Sequence, residues 1–282
     1  MIHQRSLIRL ATALMMVVAF CAAEAAEQAA SPNTNAVASP HRIGSAKLII
    51  GDVQKNQNFY ESLFGMKEVA HFSAQGVYDE PIMGFDTGAR LALFSPAVEP
   101  PLKKSQYPVA LIYVPSLDPV AMKVEAAKQP LRRLPVSASS SMRIAIATDP
   151  SGNAIELLER PNKPLEVGGS KLIVDNRQKA EDFYATVFEV KPMARYQTSA
   201  YDEVLMTFGP GAWLALFEPK TESPLPKSQY PVVAIYTKKF DAVLSRIQAL
   251  GLGYREVKTT ALKARIIIAK DPAGNAVEVI SE

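Results

Sequence analysis

Two glutamates at matching places along the chain, Glu156 and Glu278, are the side chains whose type and setting come nearest to doing chemistry. Each closes the same kind of run, Asp149-Pro150-Ser151-Gly152-Asn153-Ala154-Ile155-Glu156 and Asp271-Pro272-Ala273-Gly274-Asn275-Ala276-Val277-Glu278. A carboxylate in an apolar setting can act as a general base, contact a ligand or balance a buried cation. Nothing in the sequence brings an abstractable proton to either glutamate. They stand as the catalytic candidates, and equally as ion-pair partners of Arg143, Arg265 or a neighbouring lysine. Thiol chemistry has one source, because Cys21 is the only cysteine.

The chain has 282 residues, of which 48% are hydrophobic and 21% charged, enough for two domains with ordinary soluble cores. A net charge of +3 is too small to mark a nucleic-acid surface. Residues 1–25 read as a secretory signal peptide. Arg5 and Arg9 precede the apolar run Leu10 to Ala23, and Ala23-Glu24-Ala25 supplies small residues at the cleavage spacing. The expected location is periplasmic or secreted, with no membrane attachment after cleavage and, since Cys21 leaves with the signal, no thiol. Residues 26–43, rich in Ala, Ser, Pro and Asn, read as a flexible tether.

The rest is a duplication. Tyr78-Asp79-Glu80 returns as Tyr201-Asp202-Glu203, and Lys104-Ser105-Gln106-Tyr107-Pro108 as Lys227-Ser228-Gln229-Tyr230-Pro231, both 123 residues later. The boundary falls near Pro161 to Pro164, giving repeats 44–161 and 162–282. Each repeat divides again into two strand–helix–strand–strand–strand halves. In the first, Asp52 is placed to cap a helix whose apolar face is Phe59, Tyr60, Leu63 and Phe64, with Gly65 ending it. In the second, Asp118-Pro119 reads as a cap and first helical residue, and Asp241 as the equivalent cap in the later repeat.

The Phe59-Tyr60 helix ending in Phe64-Gly65, followed by Asp-Pro-x-Gly-Asn-Ala-x-Glu, resembles the vicinal oxygen chelate superfamily. That superfamily includes glyoxalase I, extradiol dioxygenases, fosfomycin-resistance enzymes and bleomycin-resistance proteins. The resemblance implies an α+β fold of four βαβββ modules paired into two glyoxalase-like domains with curved mixed or antiparallel sheets. It also implies a monomer that is internally a pseudo-dimer. Family enzymes hold a divalent metal with His, Gln or Glu on the first and last strands of each half. Mapped here, those positions are Ser45, Ala92, Val109 and Glu156, then Gly169, Ala215, Val232 and Glu278. One glutamate per repeat cannot hold a transition metal, so no metal site and no cofactor are expected.

Strand alternation places other side chains on the cleft faces. They are Lys47 and Lys171 on the first strands, Tyr107, Tyr113, Tyr230 and Tyr236 on the fifth strands, and Trp213 beside Ala215. With Glu156 and Glu278 these form the expected ligand-binding set. Each lysine is as well suited to reach the strand edge, and each tyrosine to fill a core. The duplicated Lys-Ser-Gln-Tyr-Pro loop is read as a cleft rim. The expectation is an exported, metal-free protein that binds a small molecule, as the bleomycin-resistance branch does. A metal-dependent lyase, isomerase or dioxygenase is the alternative, and a module whose clefts have filled to bind a partner is the third.

Overall fold

The computed structural model describes residues 39–98, 102–136, 142–220, 225–257 and 264–282; the expected signal peptide and all but the end of the tether lie outside them. The first module is β1 (His41–Ile49), α1 (Val53–Phe64), β2 (Lys67–Ala74), β3 (Tyr78–Gly84) and β4 (Arg90–Pro96). The second is β5 (Ala110–Val114), α2 (Leu117–Ala126), β6 (Leu131–Arg133), β7 (Ile144–Thr148) and β8 (Ala154–Glu159). The third is β9 (Glu166–Ile173), α3 (Arg177–Phe188), β10 (Lys191–Gln197), β11 (Tyr201–Thr207) and β12 (Trp213–Pro219). The fourth is β13 (Pro231–Thr237), α4 (Phe240–Ala249), β14 (Tyr254–Val257), β15 (Ile266–Lys270) and β16 (Ala276–Ser281).

Local chemistry explains the first helix of each repeat. The Asp52 carboxylate accepts from the Lys55 backbone N–H at 2.9 Å, and Gly65 stops α1 in the left-handed region at φ 68°. Asn176 caps α3 in the same way, accepting from the Lys179 N–H at 2.9 Å. The caps expected for the other two helices sit differently. Asp118 and Asp241 lie inside the first turns of α2 and α4, after Ser116 and Lys239, and instead pair with Arg143 and Arg265. For α2 the Glu159 carboxylate arrives from β8 and accepts from the Leu117 N–H at 2.6 Å. A distant acid thus supplies what the local one does not.

Two eight-stranded sheets carry the fold, in the orders β14-β15-β16-β13-β1-β4-β3-β2 and β10-β11-β12-β9-β5-β8-β7-β6. Neither belongs to one repeat. The first sheet joins module one to module four, and the second joins module two to module three. Chain length gives the reason. Only residues 160–165 separate β8 from β9, so module three must dock in the sheet that module two began, with Leu111 opposite Gly169. β13 then returns to β1, with Ser45 opposite Ala234. That seam also draws in the end of the expected tether. His41 to Ile43 are strand residues, and the His41 imidazole contacts the Thr237 hydroxyl at 2.7 Å across 196 residues of chain. The four helices cover one face of the sheets and share a single apolar core with them.

The Asp-Pro-x-Gly-Asn turns bind the two sheets together. Asp149 accepts from the Ser151 and Asn153 backbone N–H groups at 2.9 and 2.8 Å, and from the Tyr60 hydroxyl of α1 at 3.2 Å. The Asn153 amide donates to the Ile49 carbonyl at the end of β1 (3.1 Å), where the Lys104 ammonium also donates (2.9 Å). Tyr184, Asp271, Asn275, Lys227 and Ile173 repeat the arrangement. Asp149→Ala, which strands a buried tyrosine hydroxyl and two N–H groups, is expected to cost about 2–4 kcal/mol in chemical denaturation. Each repeat alone holds half of each sheet. Expressed separately, 39–161 and 162–282 are expected to be unfolded or dimeric, and mixing them should restore a folded 1:1 complex in size-exclusion and circular dichroism measurements.

Candidate functional site

The faces opposite the helices are set by strand alternation and by two bulges. Gly44 and Gly168 interrupt the β1–β13 and β9–β5 registers. A Cβ at either would lie 2.1 Å from the Tyr236 ring or 2.6 Å from the Tyr113 ring, so glycine makes the space in which each tyrosine crosses the backbone. Three residues further on, each sheet turns a lysine inward.

Lys47 is 4% exposed, and its ammonium lies 2.7 Å from a Glu80 oxygen and 2.8 Å from a Glu278 oxygen. Lys171 is 3% exposed and stands 2.8 Å from Glu203 and 3.0 Å from Glu156. Each lysine therefore takes one carboxylate from its own repeat and one from the other. Burial by itself pulls these ammonium groups toward neutrality, but the attraction of the paired carboxylates outweighs it and holds both above the ordinary lysine value. Burial pushes Glu80 and Glu203 above the usual carboxylate range, against the pull of the lysines. Neither lysine runs to a strand edge, and Arg143 and Arg265 bind Asp118 and Asp241 rather than the cleft glutamates. In the sequence Glu80 and Glu203 stand out only as part of the repeated Tyr-Asp-Glu; that repeat was the signal, and the structure makes them half of each anion pair.

The mapped metal positions regroup in the structure. On the fifth strands Leu111 and Ala234, two residues beyond Val109 and Val232, are the ones paired with Glu156 and Glu278. The positions also regroup across repeats: Ser45, Ala92, Ala234 and Glu278 share one face, while Gly169, Ala215, Leu111 and Glu156 share the other. Neither set fits a divalent metal. Three of four side chains offer no strong donor, the remaining glutamate is held by an ammonium, and no three metal-ligating side chains cluster among the described residues.

The two faces then diverge. The first sheet encloses an open cleft of about 710 Å³. Tyr78, Phe94 and Tyr230 form a continuous aromatic row in it, with centroids 5.4 and 4.9 Å apart, and Tyr236 also lines it. Lys47 and Glu278 line its floor, and Arg42, over the Tyr236 ring at 4.3 Å, lines its side. On the second sheet the same positions carry larger groups. Leu111 replaces Ala234, Trp213 replaces Arg90 and Met142 replaces Ala264, while Tyr196, paired with Glu203, answers Phe72, paired with Glu80; Leu111, Trp213 and Tyr196 are buried in one apolar cluster that Met142 packs against. The Trp213 indole N–H donates to the Tyr113 hydroxyl at 3.0 Å, and both residues are 3% exposed.

Of the expected ligand-binding set, Lys47, Tyr230, Tyr236 and Glu278 thus line the open cleft. Tyr107, Tyr113, Lys171, Trp213 and Glu156 are packed against or beneath the closed face, because its residues are bulkier. The duplicated loop is mainly a brace. Its lysines bind strand-end carbonyls, its serines accept from the Tyr107 and Tyr230 N–H groups, and it borders a small cavity of about 110 Å³ between the sheets. Tyr230 and Pro231 are the loop residues that reach the open cleft.

Residues 42–157 and again 167–279 match the Glyoxalase/Bleomycin resistance protein/Dioxygenase superfamily. The chain belongs to this superfamily. Among solved structures it resembles glyoxalase I from Zea mays at a TM-score of 0.72 and 21% identity, covering 86% of this chain and 92% of that one. A putative dioxygenase from Bacillus subtilis follows at a TM-score of 0.65 and 14% identity, covering 87% and 86%. At these identities the likeness speaks for the fold alone, as expected of a superfamily that hosts unrelated chemistries. No curated protein matches the sequence.

Removing a lysine tests the charge arrangement. Lys171→Met leaves Glu156 and Glu203 buried against each other and is expected to cost about 3–5 kcal/mol at neutral pH. Glu203 already lies above its ordinary value of 4.5. A carboxyl raised by folding favours the folded state while protonated and opposes it once ionised. The loss should therefore shrink as pH falls toward that range in urea titrations. Adding Glu156→Gln and Glu203→Gln should recover most of it at pH 7.

Proposed function

We propose that this superfamily member is an exported protein that binds one small, largely apolar molecule per chain in the cleft of the first sheet, without a metal. The single observation that carries this reading is the asymmetry between two faces of common origin. One has been filled by Trp213, Leu111 and Met142, while the other keeps a 710 Å³ cleft with an aromatic row and a charged floor. A volume of that size, walled mainly by apolar groups with a few convergent polar ones, suits a small organic ligand. Aromatic side chains supply broad, rigid contact area with little conformational freedom to lose on binding.

A metal-dependent lyase or dioxygenase would need donors at Ser45, Ala92 and Ala234, and those residues supply at most one hydroxyl. Catalysis by Glu278 would need it free to take a proton, whereas it is engaged by Lys47. The floor is built to hold and orient a ligand.

Elemental analysis of protein purified without chelator is expected to give no transition metal above background. Near-stoichiometric zinc, nickel, iron or manganese would sink the metal-free reading. In a thermal-shift screen, a true ligand at a hundredfold excess over its Kd should add about 2.7 kcal/mol. The double variant Ala234→Leu/Ala264→Met, which copies the closed face into the open one, should fold and lose that response. A retained response would place the ligand elsewhere.

A further inference from the structure

The closed face shows what the open one lacks. Each floor carries one ammonium and two carboxylates, so each has one negative charge in excess when both glutamates are ionised. On the closed face a second cation answers that excess. Arg132, on β6, is partly buried and lies within electrostatic reach of Glu156 and Tyr107. Its register explains how, since Arg132 stands opposite Ile146 and Ile146 opposite Glu156. The open face has the same row, with Arg255 opposite Ile268 and Ile268 opposite Glu278. There, however, Arg255 is exposed at the cleft rim. The other arginine of the cleft, Arg42, is taken by Glu282 at 2.6 Å. The floor of the open cleft is therefore left with a surplus carboxylate beneath an aromatic row.

A cation is stabilised both by carboxylates and by the faces of aromatic rings, most strongly where water is excluded. We infer that the ligand of the open cleft is an organic cation with a flat apolar body, its positive charge set against Glu278 and Glu80 where the closed face uses Arg132. Its body lies along Tyr78, Phe94 and Tyr230. This inference rests on the reading of the cleft as a binding site and adds the charge of what it binds.

Three naphthalene-sized probes separate the two claims in calorimetric titration of the full chain lacking its signal peptide: N-methylquinolinium, neutral 1-methylnaphthalene and anionic 1-naphthoate. The expected result is that the cation binds at least roughly tenfold more tightly than the neutral probe, and that naphthoate binds least. Glu278→Gln leaves Lys47 paired with Glu80 alone, removes the surplus charge and should abolish that preference; Glu80→Gln should do the same should the first variant fold poorly. Equal binding of the cation and the neutral probe overturns the charge inference and leaves the binding cleft standing. So does tighter binding of naphthoate, which would make Arg255 the anchor. Failure of all three to bind, with no response in Ala234→Leu/Ala264→Met controls, overturns both.

Discussion

An ammonium group that leaves water must be matched, and this chain buries two of them at the seams of its sheets. Lys47 joins Glu80 to Glu278, and Lys171 joins Glu203 to Glu156, so each buried charge is answered by both repeats at once. The backbone pairings β1–β13 and β5–β9 bring the partners together, and the ion triads penalise any register or pairing that separates them. The fold cannot be assembled one repeat at a time without leaving a lysine or a carboxylate stranded in an apolar setting. This is the sense in which the electrostatics of the floor govern the architecture above it.

The same triads bear on the metal-free reading proposed for the cleft. Where a divalent ion would gather several donors, this protein supplies its own cation on a covalent arm, inserted from the first strand. That arm needs no donors from Ser45, Ala92 or Ala234, which are free to be small. On one face small residues stayed small and left a cleft. On the other, leucine, tryptophan and methionine take the space, and the volume is core. Duplication makes the comparison clean, because both faces share one backbone plan and differ in side-chain volume and in where one arginine points.

The Asp-Pro-x-Gly-Asn turn, the most conspicuous motif in the chain, proves to be a joint rather than a reactive element. Asp149 and Asp271 gather N–H and hydroxyl donors, while Asn153 and Asn275 tie the turn to the end of the first strand. Each turn connects modules that lie in different sheets, which lets two sheets made of exchanged halves behave as one body. The lysine of each duplicated loop adds to the same strand-end carbonyl. Matching residues in two copies therefore mark a shared mechanical task here, and Tyr230 with Pro231 carries the loop into the cleft.

The sequence by itself determined the repeats, the module order, the first helix of each repeat and the inward faces, because these follow from periodicity, capping side chains and turn residues acting over a few positions. Asp52, Gly65 and the alternation through Lys47 to Ile49 could be read directly for that reason. The loss of metal donors was also legible, since it asks only which residue types stand at given positions. Tertiary structure alone decided the exchange of modules between sheets, the enrolment of His41 to Ile43 in β1, the Leu111 and Ala234 register, and the partnership of Lys47 with Glu80 and Glu278. Each depends on strands far apart in the chain, and on bulges at Gly44 and Gly168 that shift pairing by a residue. Whether a cleft stays open is settled later still, by summed side-chain volume across strands that the linear order keeps apart.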